Sequence, residues 1–266
     1  MATERSGKKG RLLLGTSSWS SKDWVGTIYP DGCEPRDYLP AYARQFSSVE
    51  IDSTWYRSPS EFLVRKWDRD TPAGFIFSAK VPRSITHEKV LVDCRAELSE
   101  FLGKMDILGD KLGPLLFQFP YGFKSAEFET LATFLSQLPS GYRFVVEVRH
   151  KSWLGDPFFD LLEKHQIPLA LIDHPWMPRL DRLTGPFAFV RWLGDRKGIE
   201  KKTKTWDRLI VDRGKVLKWW AEKIQGMLAN GVDVFGYFNN HYAGYAPGSL
   251  ERFMKILEES PVPKPS

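Results

Sequence analysis

Acidic, basic and amide side chains stand at the ends of several short apolar runs, where they could carry out acid–base chemistry on a charged substrate. These residues are Glu50, Asp52, Lys80, Gln118, Glu147, Arg149, Asp173, Arg191 and Asn239. Carboxylates transfer protons, while guanidinium and ammonium groups bind anions such as phosphate. The mixture predicts a hydrolase that acts on an anionic, phosphate-containing substrate.

Acid–base roles are expected for the carboxylates of this set. We expect Glu147 to act as the general base, with Glu50 or Asp173 as its acidic partner. The Glu147→Gln substitution should then abolish turnover and leave folding intact.

Substrate-binding roles are expected for the remaining members of the set. The expected anion-binding residues are Arg149, Arg191 and Lys80, the last also grouped with the catalytic residues. Gln118 and Asn239 are expected to orient the substrate, and Asp52 is also expected among the substrate-binding residues.

A cluster of basic residues also follows the seventh apolar run. Its members are Arg191, Arg196, Lys197, Lys201, Lys202, Lys204 and Arg208. In (β/α)₈ barrels, the loops after strands seven and eight frequently hold phosphate. We therefore expect Lys197 and Lys201 to contribute to anion binding. The alternative is a solvated loop whose charges bind nothing specific.

Eight apolar, strand-like runs, each followed by a helix-like segment, must position these residues. The runs are 11–15, 47–52, 74–80, 113–119, 142–149, 167–173, 186–191 and 232–239. Eight βα units in 266 residues predict a single α/β (β/α)₈ TIM barrel with eight parallel strands and helices outside. The sixth helix should be short or missing, because Pro175 and Pro178 interrupt its connection. In this architecture the carboxyl ends of the strands carry the active site.

An open, doubly wound sheet is the main alternative fold. The first apolar run lacks the glycine-rich phosphate fingerprint that such nucleotide-binding folds carry. We therefore expect no nucleotide cofactor.

Composition and length favour one domain. We expect residues 1–10 to form a disordered basic N-terminus, residues 11–260 the barrel and residues 261–266 a frayed C-terminus. No apolar run has the length of a membrane span, and none near the start resembles a signal peptide. With two cysteines and a net charge of +5, the chain is expected to be cytoplasmic, with no membrane partner and a mild preference for anions.

Strand alternation predicts which side chains face the barrel axis. Residues two apart share a face, so Glu147 lies with Arg149 and Glu50 with Asp52. Asp173 is expected to face the axis together with Leu169 and Leu171. Charges inside a barrel are costly unless paired, so the alternative reading is a set of ion pairs, for example Glu147 with Lys80 or Arg191.

Four histidines closely follow predicted strands, namely His87, His150, His174 and His241. The last three are candidate metal ligands. With Glu147 or Asp173 they could hold a divalent metal that activates a water molecule, although no two of them share a ligand-like local spacing. The alternative is that each histidine is a hydrogen-bonding partner within its loop.

Several segments resemble the YecE-like family, also called domain of unknown function 72. They are Gly-Thr-Ser-Ser-Trp at 15–19, Val-Glu-Ile-Asp-Ser-Thr-Trp-Tyr at 49–56, Phe-Ser-Ala-Lys-Val-Pro at 77–82, Leu-Phe-Gln-Phe-Pro at 116–120, Val-Glu-Val-Arg-His at 146–150 and Tyr-Phe-Asn-Asn at 237–240. The resemblance implies a (β/α)₈ barrel and no settled activity. That barrel is similar to the endonuclease IV and xylose isomerase superfamily, which suggests phosphodiester hydrolysis by analogy of fold. The chain departs from the family pattern at 247–249, where Pro-Gly-Ser replaces the usual asparagine.

Two alternative functions remain open at this level. One is a non-catalytic nucleic-acid-binding protein that uses the basic cluster and aromatic residues around the barrel rim. The other is a sugar-acting enzyme that uses paired carboxylates. The expected partner is an anionic small molecule or a nucleic acid, and the sequence identifies no protein partner.

Overall fold

The computed structural model of the chain describes residues 9–260. Most of the two predicted frayed ends therefore lies outside the described residues. Gly10 is held in place, because its N–H donates to the carbonyl oxygen of Leu228 at 2.9 Å. Among the described residues, no helix is both long and apolar enough to cross a membrane.

Eight parallel strands form two four-stranded sheets. The strands are β1 (Leu12–Thr16), β2 (Ser48–Ile51), β3 (Ile76–Lys80), β4 (Leu112–Gln118), β5 (Phe144–Glu147), β6 (Ala170–Asp173), β7 (Phe187–Trp192) and β8 (Asp233–Phe238). One sheet has the order β1-β8-β7-β6 and the other β2-β3-β4-β5. The predicted α/β class with parallel strands is confirmed. The hydrogen bonding does not form one closed eight-stranded ladder.

Helices cover the strands, as expected for a parallel sheet that is apolar on both faces. They are α1 (Tyr38–Ala43), α2 (Glu61–Arg69), α3 (Arg95–Met105), α4 (Phe128–Ser136), α5 (Asp156–Lys164), α6 (Arg196–Glu200), α7 (Gly214–Ala229), α8 (Asn240–Ala243) and α9 (Ala246–Glu259). As predicted, the connection from β6 to β7 contains no helix. The short helix α6 replaces part of the expected basic loop, because Asp195 accepts the N–H of Gly198 at 3.1 Å and caps it.

The two sheets meet at two seams. Between β5 and β6, the N–H of Val146 donates to the carbonyl oxygen of Pro168 at 3.0 Å. On the β6 side, the N–H of Leu169 does not bond to β5 but donates to the Thr184 hydroxyl at 2.8 Å. This diversion limits the seam to a single bridge between Val146 and Leu169.

The other seam, between β1 and β2, is filled by a tyrosine hydroxyl. Tyr42 of α1 accepts the N–H of Thr16 at 2.8 Å and donates to the carbonyl oxygen of Ser48 at 3.0 Å. The strands approach so closely that a Cβ on Gly15 would lie 1.9 Å from the Ser48 oxygen. A side-chain hydroxyl therefore replaces the backbone ladder at this seam.

Loss of the Tyr42 hydroxyl should destabilise the protein. Tyr42→Phe leaves the Thr16 N–H and the Ser48 carbonyl without a partner in a buried site, so we expect the free energy of unfolding to fall by about 1–3 kcal/mol. Urea unfolding measures the change. Tyr38→Phe is the matched control, because its hydroxyl bonds to no group within residues 9–260. An equal loss in both variants would remove the seam as the cause.

Candidate functional site

Register between neighbouring strands determines which side chains share the inner face. Glu50 pairs with Ser78 across β2 and β3, and Gln118 pairs with Glu147 across β4 and β5. In the other sheet Arg191 pairs with Tyr237. Tyr237 reaches across to the β2-β3-β4-β5 sheet, where its hydroxyl lies 2.7 Å from the hydroxyls of both Ser48 and Ser78. The inner faces of the two sheets are therefore in direct polar contact.

A buried ion-pair network joins the two sheets at this inner face. Arg191 donates from Nε and Nη2 to the two carboxylate oxygens of Glu50, each at 2.7 Å. Its Nη1 donates to Oε2 of Glu147, also at 2.7 Å. All three side chains are at most 1 % exposed. The ion-pair alternative raised by the sequence is therefore realised, with Glu50 as a further member.

The electrostatics of the network keep Glu147 and Arg191 ionised. Burial would raise the pKa of Glu147, but the positive charges of Arg149 and Arg191 outweigh it and lower the pKa to about 2. Burial would likewise lower the pKa of Arg191, but Glu147 and Glu50 raise it above its usual value. A carboxylate with this pKa is a weak proton acceptor at neutral pH. The geometry therefore favours a positioning role for Glu147 over that of a general base.

Arg149 is the cation that the network presents to solvent. Its Nε donates to Oε1 of Glu147, and its side chain is 20 % exposed. Within the described part of the chain, no group bonds to its Nη1 or Nη2. Lys80, at the end of β3, is paired with Asp52 and is 12 % exposed. Two cations thus stand at the carboxyl ends of the β2-β3-β4-β5 sheet, each held by a carboxylate.

The histidines near these cations report the local electrostatic potential. Burial lowers the pKa of His87 below its usual value, and the charges of Lys80, Arg149 and Arg83 lower it further. Burial, followed by the charge of Arg149, lowers the pKa of His174 to about 4. Both imidazoles are therefore neutral at pH 7. Their shared dependence on Arg149 places a region of positive potential around its guanidinium.

Asp173 does not belong to the inner face, contrary to the prediction. Its register partner is Trp192, and the preceding Ile172 pairs with the inward Arg191. Asp173 Oδ2 accepts the indole N–H of Trp220 in α7 at 2.9 Å and the Tyr242 hydroxyl at 3.3 Å. It anchors the helix layer, so we withdraw it as the acidic partner of Glu147.

The amide residues predicted to bind substrate take part in local hydrogen bonds. Gln118 donates from Nε2 to the carbonyl oxygen of Phe119 at 2.6 Å. Asn239 caps α8, since its Oδ1 accepts the N–H of His241 at 2.9 Å. Both follow the strand ends as expected, and Asn239 keeps its Nδ2 free of partners among residues 9–260.

The basic cluster is only partly available to bind an anion. Arg196 pairs with Glu200 at 2.8 Å, and Lys204 donates to the Glu200 carbonyl oxygen at 2.7 Å. Lys197 and Lys201 are exposed, and their side-chain ammonium groups bond to no described residue. Phosphate binding by these two lysines stays a prediction.

The three candidate metal ligands are not brought together. The ring of His150 packs against Tyr121, that of His174 against Trp176 and that of His241 against Trp206. His150 and His174 also accept local backbone N–H groups through Nδ1. Among residues 9–260, no group of three or more His, Cys, Asp or Glu side chains is placed to hold a metal ion. The expected set of His150, His174 and His241 is therefore corrected to three separate residues, the first two in loops and the third in α8.

A cleft at the ends of β1 and β8 was not predicted. It has a volume of about 260 Å³ and is lined by side chains that include Ser17, Trp24, Asp52, Asn239 and Asn240. The sequence feature that could have indicated this cleft is the run of serines and tryptophans after the first strand. From the sequence alone, Trp24 is interpreted only as a packing residue of the barrel rim. The sequence also assigned no catalytic role to His87, although Thr86 and His87 follow β3 closely.

Comparison with known proteins gives consistent matches over the chain. A family model described as "Protein of unknown function DUF72" matches residues 13–266. The UPF0759 protein YunF of Bacillus subtilis (strain 168) is 24% identical over 93% of this chain and 95% of its own length. The UPF0759 protein YecE of Escherichia coli (strain K12) is 33% identical, but the match spans 54% of this chain and only 50% of that relative.

Solved structures resemble the described fold. A DUF72 family protein from Thermotoga maritima MSB8 superposes with a TM-score of 0.76 and 28% identity, covering 93% of this chain and 99% of its own. A D-psicose 3-epimerase from Clostridium cellulolyticum H10 gives a TM-score of 0.55 at 12% identity, covering 85% of each chain. The second likeness concerns the fold alone, which is TIM-barrel-like.

Proposed function

The chain belongs to the DUF72 family, and from that premise we propose that it is a hydrolase acting on a phosphate-containing substrate at the carboxyl ends of its strands. The observation that carries the proposal is the placement of Arg149. Glu147 holds its Nε and leaves the two terminal nitrogens open, within a region that also contains Lys80. A guanidinium with two open donors matches the geometry of two phosphate oxygens.

We infer that the two sheets are the halves of one (β/α)₈ barrel. The two seams join β5 to β6 and β1 to β2, which completes the circular order of eight strands. Arg191 spans the interior between them. On this reading the ends of all eight strands share one mouth, and Arg149 and Lys80 lie in it.

Two neutral imidazoles are proposed to assist the reaction, His87 as proton acceptor and His174 as hydrogen-bond donor. His174 accepts the N–H of Trp176 through Nδ1, which leaves its Nε2–H to stabilise the negative charge on the leaving oxygen by a hydrogen bond, while the leaving oxygen takes its proton from solvent. The Thr86 hydroxyl bonds to the Pro82 carbonyl and lies 2.8 Å from His87 Nδ1. If Nδ1 carries the proton, Nε2 of His87 is free to accept one from the attacking water. Arg149 and Lys80 would offset the charge on the phosphoryl oxygens.

Glu147 and Glu50 act through the arginines in this proposal. Glu147 orients Arg149, and Arg191 ties Glu147 to Glu50 across the interior. This arrangement disfavours a sugar-acting enzyme that uses paired carboxylates, because both are already neutralised by arginine. A divalent metal is not needed to account for the anion site, and the chelator arm of the assay below tests for one.

The proposal is tested with simple phosphoesters. Hydrolysis of p-nitrophenyl phosphate and bis(p-nitrophenyl) phosphate is followed for the wild-type protein, with added manganese or zinc and again with chelator. In at least one of these conditions we expect hydrolysis that inorganic phosphate inhibits competitively. Absence of turnover together with absence of phosphate binding would refute the proposal.

The pH profile should report His87. A general base must be deprotonated, so kcat/KM should rise with pH and level off above a midpoint below 6.5, the ordinary value for histidine. Arg83→Ala removes one of the charges that lower the pKa of His87, so its midpoint should move up by a few tenths of a unit. His174, with its pKa of about 4, adds no limb above pH 5. An identical midpoint in both proteins would exclude His87 as the base.

Non-catalytic nucleic-acid binding is a second candidate, favoured by exposed aromatic rings at the rim. Trp176 is 56% exposed and Tyr121 57% exposed, with ring centroids 6.3 Å apart. Such rings stack on bases, and the open ammonium groups of Lys197 and Lys201 could neutralise phosphates.

Single-stranded DNA binding should then weaken steeply with salt. The slope of log affinity against log salt should decrease by about 1 in magnitude for each of Lys197→Ala and Lys201→Ala. Trp176→Ala should weaken binding by about fivefold or more without changing that slope. Fluorescence anisotropy with a labelled oligonucleotide measures both effects. Binding that is insensitive to all three variants would rule out this surface.

A further inference from the structure

We propose that the cleft at the ends of β1 and β8 binds the hydroxyl-rich part of the substrate, which makes the substrate a phosphorylated sugar or similar polyol. The part of this inference that concerns phosphate rests on the proposed function. The part that concerns the hydroxyl groups rests on the cleft alone.

The first supporting observation is a pair of buried polar atoms without partners. The Ser17 hydroxyl and the indole N–H of Trp24 both belong to residues that line the cleft. Their side chains are 5 % and 2 % exposed, and neither atom bonds to any other group in the described residues. Buried polar groups are ordinarily hydrogen-bonded, because leaving one unpaired is costly. Two unpaired groups at one cleft indicate a ligand that would pair with them.

The remaining polar groups of the cleft supply both donors and acceptors. The side-chain oxygens of Asn239 and Asn240 already accept the backbone N–H groups of His241 and Ala246, each at 2.9 Å. Their NH₂ groups are left as donors. Asp52 pairs with Lys80 through Oδ1, which leaves Oδ2 as an acceptor. Hydroxyl groups both donate and accept, so a polyol matches this mixture.

The charge of the cleft excludes an anion as its occupant. No lysine or arginine is among the described residues that line it, and Asp52 is its one carboxylate. Around His241, the charge of one cation, Arg196, is opposed by those of Glu200 and Asp52. Around His87, the charges of three cations are opposed by that of Glu88. The mouth is thus divided into a positive part at Arg149 and Lys80 and an uncharged or weakly acidic part at the cleft.

Asp52 connects the two parts. It lines the cleft and is ion-paired with Lys80 of the proposed anion site. Trp206 also lines the cleft, and its backbone N–H donates to Oδ2 of Asp23 at 3.0 Å. An aromatic ring of this kind packs against the C–H face of a sugar. A volume of about 260 Å³ suits one sugar ring rather than a larger ligand.

The test compares three probes by isothermal titration calorimetry, namely inorganic phosphate, D-ribose and D-ribose 5-phosphate. We expect the sugar phosphate to bind about tenfold or more tightly than phosphate, because only it fills both parts of the mouth. Trp24→Phe and Ser17→Ala should each weaken sugar-phosphate binding by about threefold or more and leave phosphate binding unchanged. Neither substitution removes an internal hydrogen bond, so both variants should fold.

Trp192→Phe is the matched control. Its indole N–H is also buried and unpaired among the described residues, but Trp192 does not itself line the cleft. It stacks on Phe238 of the cleft wall, and phenylalanine keeps an aromatic ring for that contact. The substitution should leave the binding of all three probes unchanged.

The outcomes separate the two proposals. Equal affinities for phosphate and the sugar phosphate, with no effect of Trp24→Phe or Ser17→Ala, would overturn the cleft assignment and leave the anion site standing. Ribose binding that is weakened by Trp24→Phe, without any phosphate binding, would support the cleft and overturn the proposed function. Equal effects of Trp24→Phe and Trp192→Phe would show that loss of a buried indole N–H acts through folding, and would also overturn the assignment.

Discussion

Replacement of Arg191 by methionine is expected to lower the free energy of unfolding by about 3–5 kcal/mol. The substitution leaves the carboxylates of Glu50 and Glu147 buried inside the protein without the guanidinium that bridges them. Methionine retains a long unbranched chain, so the effect reports the lost charge more than lost volume. Urea unfolding at pH 7, followed by tryptophan fluorescence, measures it.

The pH dependence of this effect provides a second, independent signature. In the wild-type protein the pKa of Glu147 is about 2, below its ordinary value of 4.5. Ionised Glu147 therefore stabilises the fold above pH 4.5, and this contribution is lost as pH falls towards 2. In the Arg191→Met variant Glu50 has lost its guanidinium partner and Glu147 keeps only Arg149, so protonation of these buried carboxylates relieves part of the cost of their burial. The stability difference between the two proteins should shrink as pH falls from 6 to 3.

Arg182→Met is the matched control for Arg191→Met. Arg182 also joins carboxylates, those of Asp156, Asp160 and Glu163, but does so at the surface. Exposed ion pairs contribute little, so this variant should be close to wild type at every pH. If Arg191→Met were no less stable than Arg182→Met, or if its deficit did not change with pH, the network would not be the charged support inferred here.

Strand alternation was enough to predict much of the inner face. It correctly grouped Glu50, Glu147 and Arg191 as side chains at one end of the sheets, because a charged residue in an otherwise apolar strand marks its own side. Alternation shows which residues share a face but does not identify that face. In β6 both faces are apolar, so the direction of Asp173 was set by the register with β7, which the sequence does not contain.

Long-range partners were the least predictable part of the fold and the site. The sequence offered Arg191 as one ion-pair partner of Glu147. It did not indicate that Glu50, which is 141 positions from Arg191 in the chain, pairs with the same guanidinium. The seam filled by Tyr42 depends on how closely β1 approaches β2, and the helical pattern of α1 shows only that Tyr42 is buried. Trp24 read as packing, which it is, but its unpaired N–H becomes evident only with all its neighbours in place.

The second large effect expected is on catalysis, from Arg149→Ala. Removing the guanidinium takes away the two open donors proposed to bind the phosphoryl group, so kcat/KM for the phosphoester should fall by about 10²–10³-fold. Inorganic phosphate should lose most of its affinity in the same variant. Steady-state kinetics and calorimetry measure the two losses separately.

Two further proteins distinguish this role from a structural one. Arg149→Lys keeps the positive charge but not the planar pair of donors, so it should recover only part of the lost activity. Arg44→Ala removes an exposed arginine at the end of α1, just before β2 begins and hence at the opposite end of the strands. It should match wild type.

Chemical rescue gives the sharpest discrimination. Added guanidinium at millimolar concentration can occupy the space that Arg149→Ala vacates beside Glu147, and should restore part of the activity to that variant alone. The Glu147 carboxylate would be the group that holds the added cation, because its other oxygen stays paired with Arg191. If neither guanidinium nor lysine restored any activity, and Arg149→Ala bound phosphate as well as wild type does, the anion site would have to lie elsewhere. Rescue by guanidinium would instead support a positioning role for Glu147. The sequence predicted that Glu147 is the general base, and a general base needs no added cation to accept a proton.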